Sequence, residues 1–301
     1  CATPNLDRDC IKNVSKKQKT PSLKNFKIPG IKTMENAVKK FSPTEKYLFG
    51  FFFIVSLLSS FILLSEVNKS FLVSTPEYGG SFTEGVVGTP RFINPLIAIS
   101  EVDKDLTSLI YSGLMKATPE GGLVVDIAEN YSISEDGLIY SFIIKENAKF
   151  QDNTPITTED VEFTIQKIQD SNLKSPKRGN WEGVTVEKIN DHEINFILKQ
   201  PYAPFLENTT IGIIPKHIWG NATSDEFTFS PFNIEPIGSG PYKISTIKRN
   251  SAGIPTEYKL SAFENYTLGK PYIEEISIKF FPNEKSLLEA YNKKTIDWLV
   301  D

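Results

Sequence analysis

The hydrophobic and polar positions divide the chain into one long apolar run and a longer region of short, mixed patterns. Residues 47–65 (YLFGFFFIVSLLSSFILLS) form nineteen consecutive positions without a charge. This is about the ~20 residues that an α-helix needs to cross ~30 Å of hydrocarbon. The pattern therefore predicts one transmembrane helix over 47–65.

Beyond residue 80 the patterns predict strands and helices in mixed order. Alternation and turn residues predict strands at 81–88, 138–145 and 273–280, and a hairpin whose arms hold Val184 and Phe196. Helical spacing predicts helices beginning near Asp103, at Thr157 with a capping box, and at Asn283. The proline-punctuated stretch 201–255 predicts short strands and loops. The fold class expected is mixed α and β.

Charge around the apolar run sets the expected topology. Residues 1–46 contain eleven Lys and Arg against four Asp and Glu, and by the excess of positive charge on the cytoplasmic side they stay inside. There are two alternatives. A cleaved signal peptide has a shorter apolar core and a small-residue cleavage site, and a buried helix of a soluble core rarely reaches nineteen apolar residues between charged flanks. We expect a disordered cytoplasmic tail at 1–46, an uncleaved signal anchor at 47–65, a tether at 66–79 and an exported domain at 80–301.

Composition narrows the classes of function open to that domain. Its acidic balance, with no nucleic-acid-reading motif, argues against a nucleic acid partner, because phosphate-binding faces need clustered Lys and Arg. Both cysteines, Cys1 and Cys10, lie in the tail, so the stability of the domain must come from its apolar core.

No catalytic, metal or cofactor constellation is evident. The only histidines are His192 and His217, and their spacing of 25 fits no zinc signature. Gly238-Ser239-Gly240 resembles part of a nucleophile elbow but lacks the full motif and a later histidine, so a strained turn is the better interpretation. Binding is therefore favoured over catalysis, with no catalytic residue, metal ligand or cofactor predicted.

A series of motifs in a fixed order resembles the family 5 extracellular solute-binding proteins, the oligopeptide- and dipeptide-binding components of ABC importers. The most specific is 149–161 (KFQDNTPITTEDV), where Asn153 stands in place of the usual glycine and tolerates the left-handed conformation. The other segments are 91–96 (RFINPL), 109–114 (LIYSGL), 126–131 (DIAENY), 134–142 (SEDGLIYSF), 236–242 (PIGSGPY) and 293–297 (KKTID).

The resemblance implies a periplasmic-binding-protein-like fold of two lobes that close on a ligand by hinge motion. Family members continue well beyond the position that matches Asp301. The resemblance thus implies that 80–301 holds mainly the first lobe, incomplete, and that the family's acidic anchor for a peptide α-amino group lies outside this sequence.

The resemblance also implies which residues line this half of the binding site. Asn94 and the loop that follows it, with Ile99, Ser100 and Glu101, align with a ligand-facing loop of the family, so Asn94 is expected to contact the ligand together with them. A second candidate is the glycine-containing segment with Arg178, Asn180 and Trp181, although Trp181 can also pack on the hairpin.

The function expected is a membrane-anchored extracytoplasmic solute-binding protein that captures oligopeptides for an ABC permease. Two alternatives stay open: a ligand-sensing receptor ectodomain of the same fold, and, with less support, a membrane-anchored hydrolase. The family also includes binders of nickel, haem, sugars and opines, so the ligand class is not fixed by the sequence.

Overall fold

A computed structural model of the chain describes residues 42–71 and 76–300. They fall into two compact units, with the division between Thr75 and Pro76, and each unit is described by itself. The predictions for the tail at 1–41 and for residues 72–75 of the tether lie outside the described residues.

The first unit contains the helix α1, Pro43–Phe71. Its start is fixed by Ser42, whose hydroxyl and backbone N–H both donate to Glu45, at 2.9 and 2.7 Å, while Pro43 takes the first helical position, where its missing N–H costs nothing. The helix thus extends past both ends of the predicted 47–65 span and includes the first residues of the predicted tether. By length and composition it can cross a membrane, and its apolar side chains are exposed.

The second unit contains a five-stranded mixed sheet in the order β11-β1-β10-β9-β8. Strand β1 runs parallel to both β10 and β11, whereas β9 is antiparallel to β10 and β8. The strands are β1 Ser81–Val87, β8 Tyr242–Arg249, β9 Pro255–Ala262, β10 Glu275–Phe281 and β11 Trp298–Val300. The strands predicted at 81–88 and 273–280 are confirmed as β1 and β10.

A second sheet of four antiparallel strands has the order β4-β5-β7-β6. It contains the predicted hairpin, and helix α3 packs on it through Val161, Ile165 and Ile168, which are buried. The elements are β4 Ala128–Ile133, β5 Ile139–Ile144, α3 Thr158–Gln169, β6 Thr185–Lys188 and β7 Glu193–Ile197. A separate two-stranded sheet pairs β2 Met115–Ala117 with β3 Leu123–Val125.

Helix α2, Glu101–Ile110, begins two residues before the predicted cap. Ser100 is the cap, because its hydroxyl accepts the Asp103 N–H at 3.2 Å, so Asp103 lies inside the first turn. The last helix, α8 Glu284–Asn292, begins as predicted at Asn283, whose side chain accepts the Ser286 N–H at 3.0 Å.

The prediction of loops over 201–255 was correct for most of the segment, but it missed several short helices. Pro204 and Pro215 immediately precede two of them, and Pro231 begins a 3-10 turn, since proline fits the start of a helix. The segment contains α5 Phe205–Asn208, α6 Lys216–Trp219, α7 Ser224–Phe229 and a 3-10 turn, Pro231–Asn233, before the long strand β8.

The side chain of Gln151 joins the motif segments of the second unit. Its amide NH2 donates to the carbonyls of Ile110 and Tyr242 at 3.1 and 2.7 Å, and its carbonyl accepts the Gly238 N–H at 3.1 Å. The C-terminal end of α2, the 236–241 turn and β8 are thereby fixed to one another.

Candidate functional site

The loop from β1 to α2 is organised by two buried polar side chains. Asn94 is fully buried; its carbonyl accepts the Leu96 N–H at 3.0 Å, and its NH2 donates to the side chain of Asn233 at 3.2 Å. Both groups are engaged inside the protein, so a direct ligand contact by Asn94, as expected from the sequence, does not fit the structure. Asn94 shapes the loop.

Asp103 holds the other end of the same loop. Its carboxylate accepts the backbone N–H groups of Arg91 and Phe92 at 2.7 and 2.9 Å, and the Ser100 hydroxyl at 2.7 Å. These bonds leave Ile99, Ser100 and Glu101 on an exposed turn.

The charged residue of that turn has a partner on its own helix. Glu101 forms an ion pair with Lys104 at 2.8 Å, and its side chain is 81% exposed. Such an exposed pair contributes little to stability, so the carboxylate is free to exchange Lys104 for a ligand cation.

The second predicted segment is one helical turn, α4 Arg178–Trp181. Arg178 and Asn180 are exposed, and the Asn180 carbonyl accepts the side-chain amide of Asn208 at 3.0 Å. Trp181 is 1% exposed, with its ring centroid 5.4 Å from those of both Phe196 and Phe205. The alternative in which Trp181 packs on the hairpin is therefore the one observed.

Two of the predicted site residues, Asn180 and Trp181, line a cleft of about 240 Å³. Pro95 and Ala98, just before the Ile99–Glu101 turn, also line it. The lining does not include the other predicted residues, Asn94, Ile99, Ser100, Glu101 and Arg178. Helix α2 and the segment 207–212 supply the remaining walls, including Lys104, Thr107, Ser108, Tyr111, Glu207, Asn208, Thr210, Ile211 and Gly212.

The apolar positions that predict α2 give no indication of these cleft residues. Thr107 and Ser108 follow Lys104 at spacings of three and four, which places the three on one polar side of α2, and Tyr111 is the first residue after the helix. Opposite a buried face, such a side borders solvent or a ligand. Burial raises the pKa of the Tyr111 phenol, which therefore stays protonated.

A second cleft borders the other side of α2 and contains two carboxyl groups. Glu84 of β1 and Asp105 line a space of about 270 Å³ together with apolar residues. Burial, and next the nearby Asp105, raise the pKa of Glu84; burial, and next Glu101, raise the pKa of Asp105. The ionised forms of both groups are thus disfavoured in this cleft.

The residues that were considered for catalysis form contacts with other residues of the protein. His217 contacts Asp152, Nε2 to Oδ2 at 2.7 Å, and the buried Ser239 accepts the Ser112 N–H at 3.3 Å. Over 42–71 and 76–300, no group of three or more His, Cys, Asp and Glu side chains could hold a metal ion.

The turn at 238–240 differs from the strained turn expected. Gly238 and Gly240 do not adopt positive φ. They are glycines because the backbone of α2 approaches closely: a Cβ at Gly238 would lie 2.1 Å from the Ile110 carbonyl oxygen.

Comparison with known proteins agrees with this architecture. Oligopeptide-binding protein AppA of Bacillus subtilis (strain 168) is 31% identical over 223 residues, which are 73% of this chain and 40% of AppA. The structure of that AppA with a nonapeptide superposes with a TM-score of 0.68 at 29% identity, covering 75% of this chain and 44% of AppA. NikZ of Campylobacter jejuni with Ni(L-His) superposes with a TM-score of 0.65 at 28% identity, covering 73% and 43% of the two chains.

The mixed α/β fold is thus that of the periplasmic binding proteins, as the sequence predicted. The chain spans about 40% of the length of the curated relatives named here. The model of the bacterial extracellular solute-binding proteins, family 5 Middle, matches residues 122–301, which is more than half of the chain. The chain therefore belongs to the family 5 bacterial extracellular solute-binding proteins.

Proposed function

We propose that this chain belongs to a membrane-anchored, extracytoplasmic solute-binding protein that captures oligopeptides for import by an ABC transporter. The observation that carries the proposal is the cleft between α2, α4 and 207–212, in a fold whose relative AppA is an oligopeptide-binding protein. The residues that we assign to ligand contact are Ile99, Ser100, Glu101, Arg178 and Asn180, with Trp181 as the packed support of α4.

The chemistry of the cleft suits a peptide. The exposed Glu207 carboxylate and the exposed Lys177 ammonium give the cleft both signs of charge, as a zwitterion requires. The Asn180 side chain and the hydroxyls of α2 supply neutral hydrogen-bonding groups beside the apolar Pro95 and Ala98. Extended peptides are recognised largely through main-chain hydrogen bonds, with tolerant side-chain pockets.

Helix α1 supports the membrane anchoring. It carries the uncharged residues 47–65, and the excess of Lys and Arg in 1–46 favours a cytoplasmic N-terminus. In this arrangement the anchor keeps the binding unit at the outer face of the membrane, where the permease subunits are its partners.

Peptide capture is tested by thermal unfolding of the full chain, reconstituted in lipid nanodiscs, with a random pentapeptide library. A ligand that binds only the native state, at ten times its Kd, stabilises it by about 1.4 kcal/mol, a rise in Tm of roughly 3–6 °C for a domain of this size. A library of free amino acids at equal mass is the control. An unchanged Tm at millimolar library concentration would contradict the proposal that the ligand is a peptide.

The anchor is tested with paired arginine substitutions. Leu57→Arg with Leu58→Arg places two charges at the centre of the apolar run, at a cost of roughly 2.5–3.5 kcal/mol each. The matched control, Leu64→Arg with Ser65→Arg, places them at its end, where long side chains reach the interface. We expect only the central pair to release the protein from membranes on alkaline extraction; equal retention of both variants would contradict the anchor.

Import is tested in the cells that make the protein. Deletion of its gene should reduce uptake of a labelled peptide mixture, and the full-length protein should co-purify with permease subunits. A signalling defect with normal peptide uptake would favour the receptor alternative instead.

A further inference from the structure

Two hydroxyl groups at the C-terminal half of α2 are shielded from solvent and have no hydrogen-bond partner. They are Tyr111 Oη and Thr107 Oγ1, and the Tyr111 side chain is 4% exposed. Most buried hydroxyls in proteins are paired, because an unpaired one loses its bonds to water without replacement. Two unpaired hydroxyls in the wall of one cleft therefore need an explanation.

Both residues line the candidate cleft. Tyr111 also borders a neighbouring cleft of about 240 Å³, and Ser108 and Thr210 are common to the two. The two clefts thus share a wall formed by Tyr111, Ser108 and Thr210.

The position of Tyr111 is fixed by its surroundings. A Cβ added at Gly212 would lie 2.6 Å from the Cβ of Tyr111, so backbone and side chain are in close contact on that side. The rim of the cleft is different, because Lys104, Lys177 and Glu207 are long and exposed. These long side chains have room to change rotamer when a ligand enters.

We propose that Tyr111 and Thr107 form a subsite for one backbone peptide unit of the ligand, which deepens, and rests on, the proposed capture of peptides. Tyr111 Oη donates to the carbonyl oxygen of that unit, and Thr107 Oγ1 accepts its N–H. A peptide unit carries one donor and one acceptor, which match the two vacant hydroxyls. The subsite contacts the backbone of the ligand and none of its side chains, so it fits peptides of variable sequence.

The test is Tyr111→Phe in the full chain in nanodiscs, with the random pentapeptide library as probe. Tyr131→Phe is the matched control, because Tyr131 stacks on Phe142 outside the cleft. We expect Tyr111→Phe to weaken library binding five- to tenfold, in line with the loss of one buried hydrogen bond. The Tm without peptide should stay the same or rise, since an unpaired hydroxyl is removed. Thr107→Val should weaken binding in the same direction.

The outcomes separate this inference from the proposed function. If the unsubstituted chain binds the library and Tyr111→Phe binds it equally well, the subsite is wrong and peptide capture stands. A fall of several degrees in the Tm of Tyr111→Phe without peptide would show that the hydroxyl has a partner within the protein, which also overturns the subsite. If the unsubstituted chain binds no peptide, both the subsite and the proposed function fail.

Discussion

Removal of the Asp103 carboxylate should destabilise the second unit and release the turn that carries Ile99, Ser100 and Glu101. Asp103 is 2% exposed and accepts three hydrogen bonds within 2.7–2.9 Å. Asp103→Ala removes all three and leaves the N–H groups of two neighbouring residues without an acceptor.

The magnitude follows from those contacts. Hydrogen bonds to charged groups contribute roughly 1.5–3 kcal/mol each, so simple addition gives more than about 4 kcal/mol. Arg91 is exposed and Phe92 is half-buried, so water can form part of the hydrogen bonding that their N–H groups lose. We therefore expect Asp103→Ala to lower the free energy of unfolding by about 3 kcal/mol, which for a domain of this size lowers the Tm by roughly 6–12 °C.

Asp103→Asn is the matched control. One carboxylate oxygen, Oδ1, accepts both backbone N–H groups, and the amide oxygen of asparagine can take its place. The new NH2 then faces Ser100 Oγ, which can accept where it donated before. We expect Asp103→Asn to lower the free energy of unfolding by about 1 kcal/mol, because it removes only the charge and reverses the direction of the hydrogen bond with Ser100.

Thermal and urea unfolding of the full chain in nanodiscs, followed by tryptophan fluorescence, measure both variants. Trp181 and Trp219 are buried in the second unit and report on its unfolding. If alanine and asparagine lower the Tm by the same one or two degrees, Asp103 does not hold the turn, and the reasoning from its three bonds is refuted.

Three further predictions use five substitutions. Trp181→Ala should cost about 4 kcal/mol through lost aromatic packing, whereas Asn180→Ala, on the exposed side of the same turn, should change the unfolding free energy by less than about 0.5 kcal/mol; similar losses would contradict the burial of Trp181. Gly238→Ala should cost about 3 kcal/mol because its Cβ meets backbone, whereas Gly179→Ala, in open space within α4, should gain roughly 0.5 kcal/mol; equal effects on urea unfolding would refute the close approach. Glu84→Gln should raise the Tm at pH 7, because an acid whose pKa is raised on folding costs stability once ionised, and the gain should vanish below the ordinary pKa of 4.5; a gain independent of pH would exclude charge as its cause.

Local sequence signals were sufficient for elements that carry their own start signals. The capping box at Thr157 and the cap at Asn283 begin α3 and α8 where they were predicted. Asn153 stands where the family motif usually has glycine. Its φ of 72° shows that it adopts the left-handed conformation expected for it. Each of these features depends on residues within three or four positions of one another.

Features that depend on distant contacts were not predictable. The short strands β2, β3 and β11 have three residues each, too few for an alternating pattern, and exist because a neighbouring strand provides hydrogen bonds. The start of α2 was misplaced because both Ser100 and Asp103 are good capping residues, and only the pairing of Asp103 with 91–92 decides between them.

For the candidate site, too, local signals were predictable and contacts between distant segments were not. Through the resemblance to the family, the sequence located Asn180 and Trp181, which line the cleft, and a turn that follows the lining residues Pro95 and Ala98. It could not show that Asn94 points inward to Asn233, 139 residues later, or that 207–212 forms the opposite wall. Those facts arise from packing between segments far apart in the chain.

The pairing of β1 has a consequence for the order in which this protein is made and folded. Both neighbours of β1 come from the far end of the chain, with Ser81 opposite Glu275 and Glu84 opposite Trp298. At about 5–20 residues per second, ribosomes need roughly 10–40 s to synthesise the intervening residues. During that time β1 has no native partner on either edge, and unpaired strands are templates for aggregation. The topology of the sheet thus leaves β1 unpaired until β10 and β11 have been synthesised.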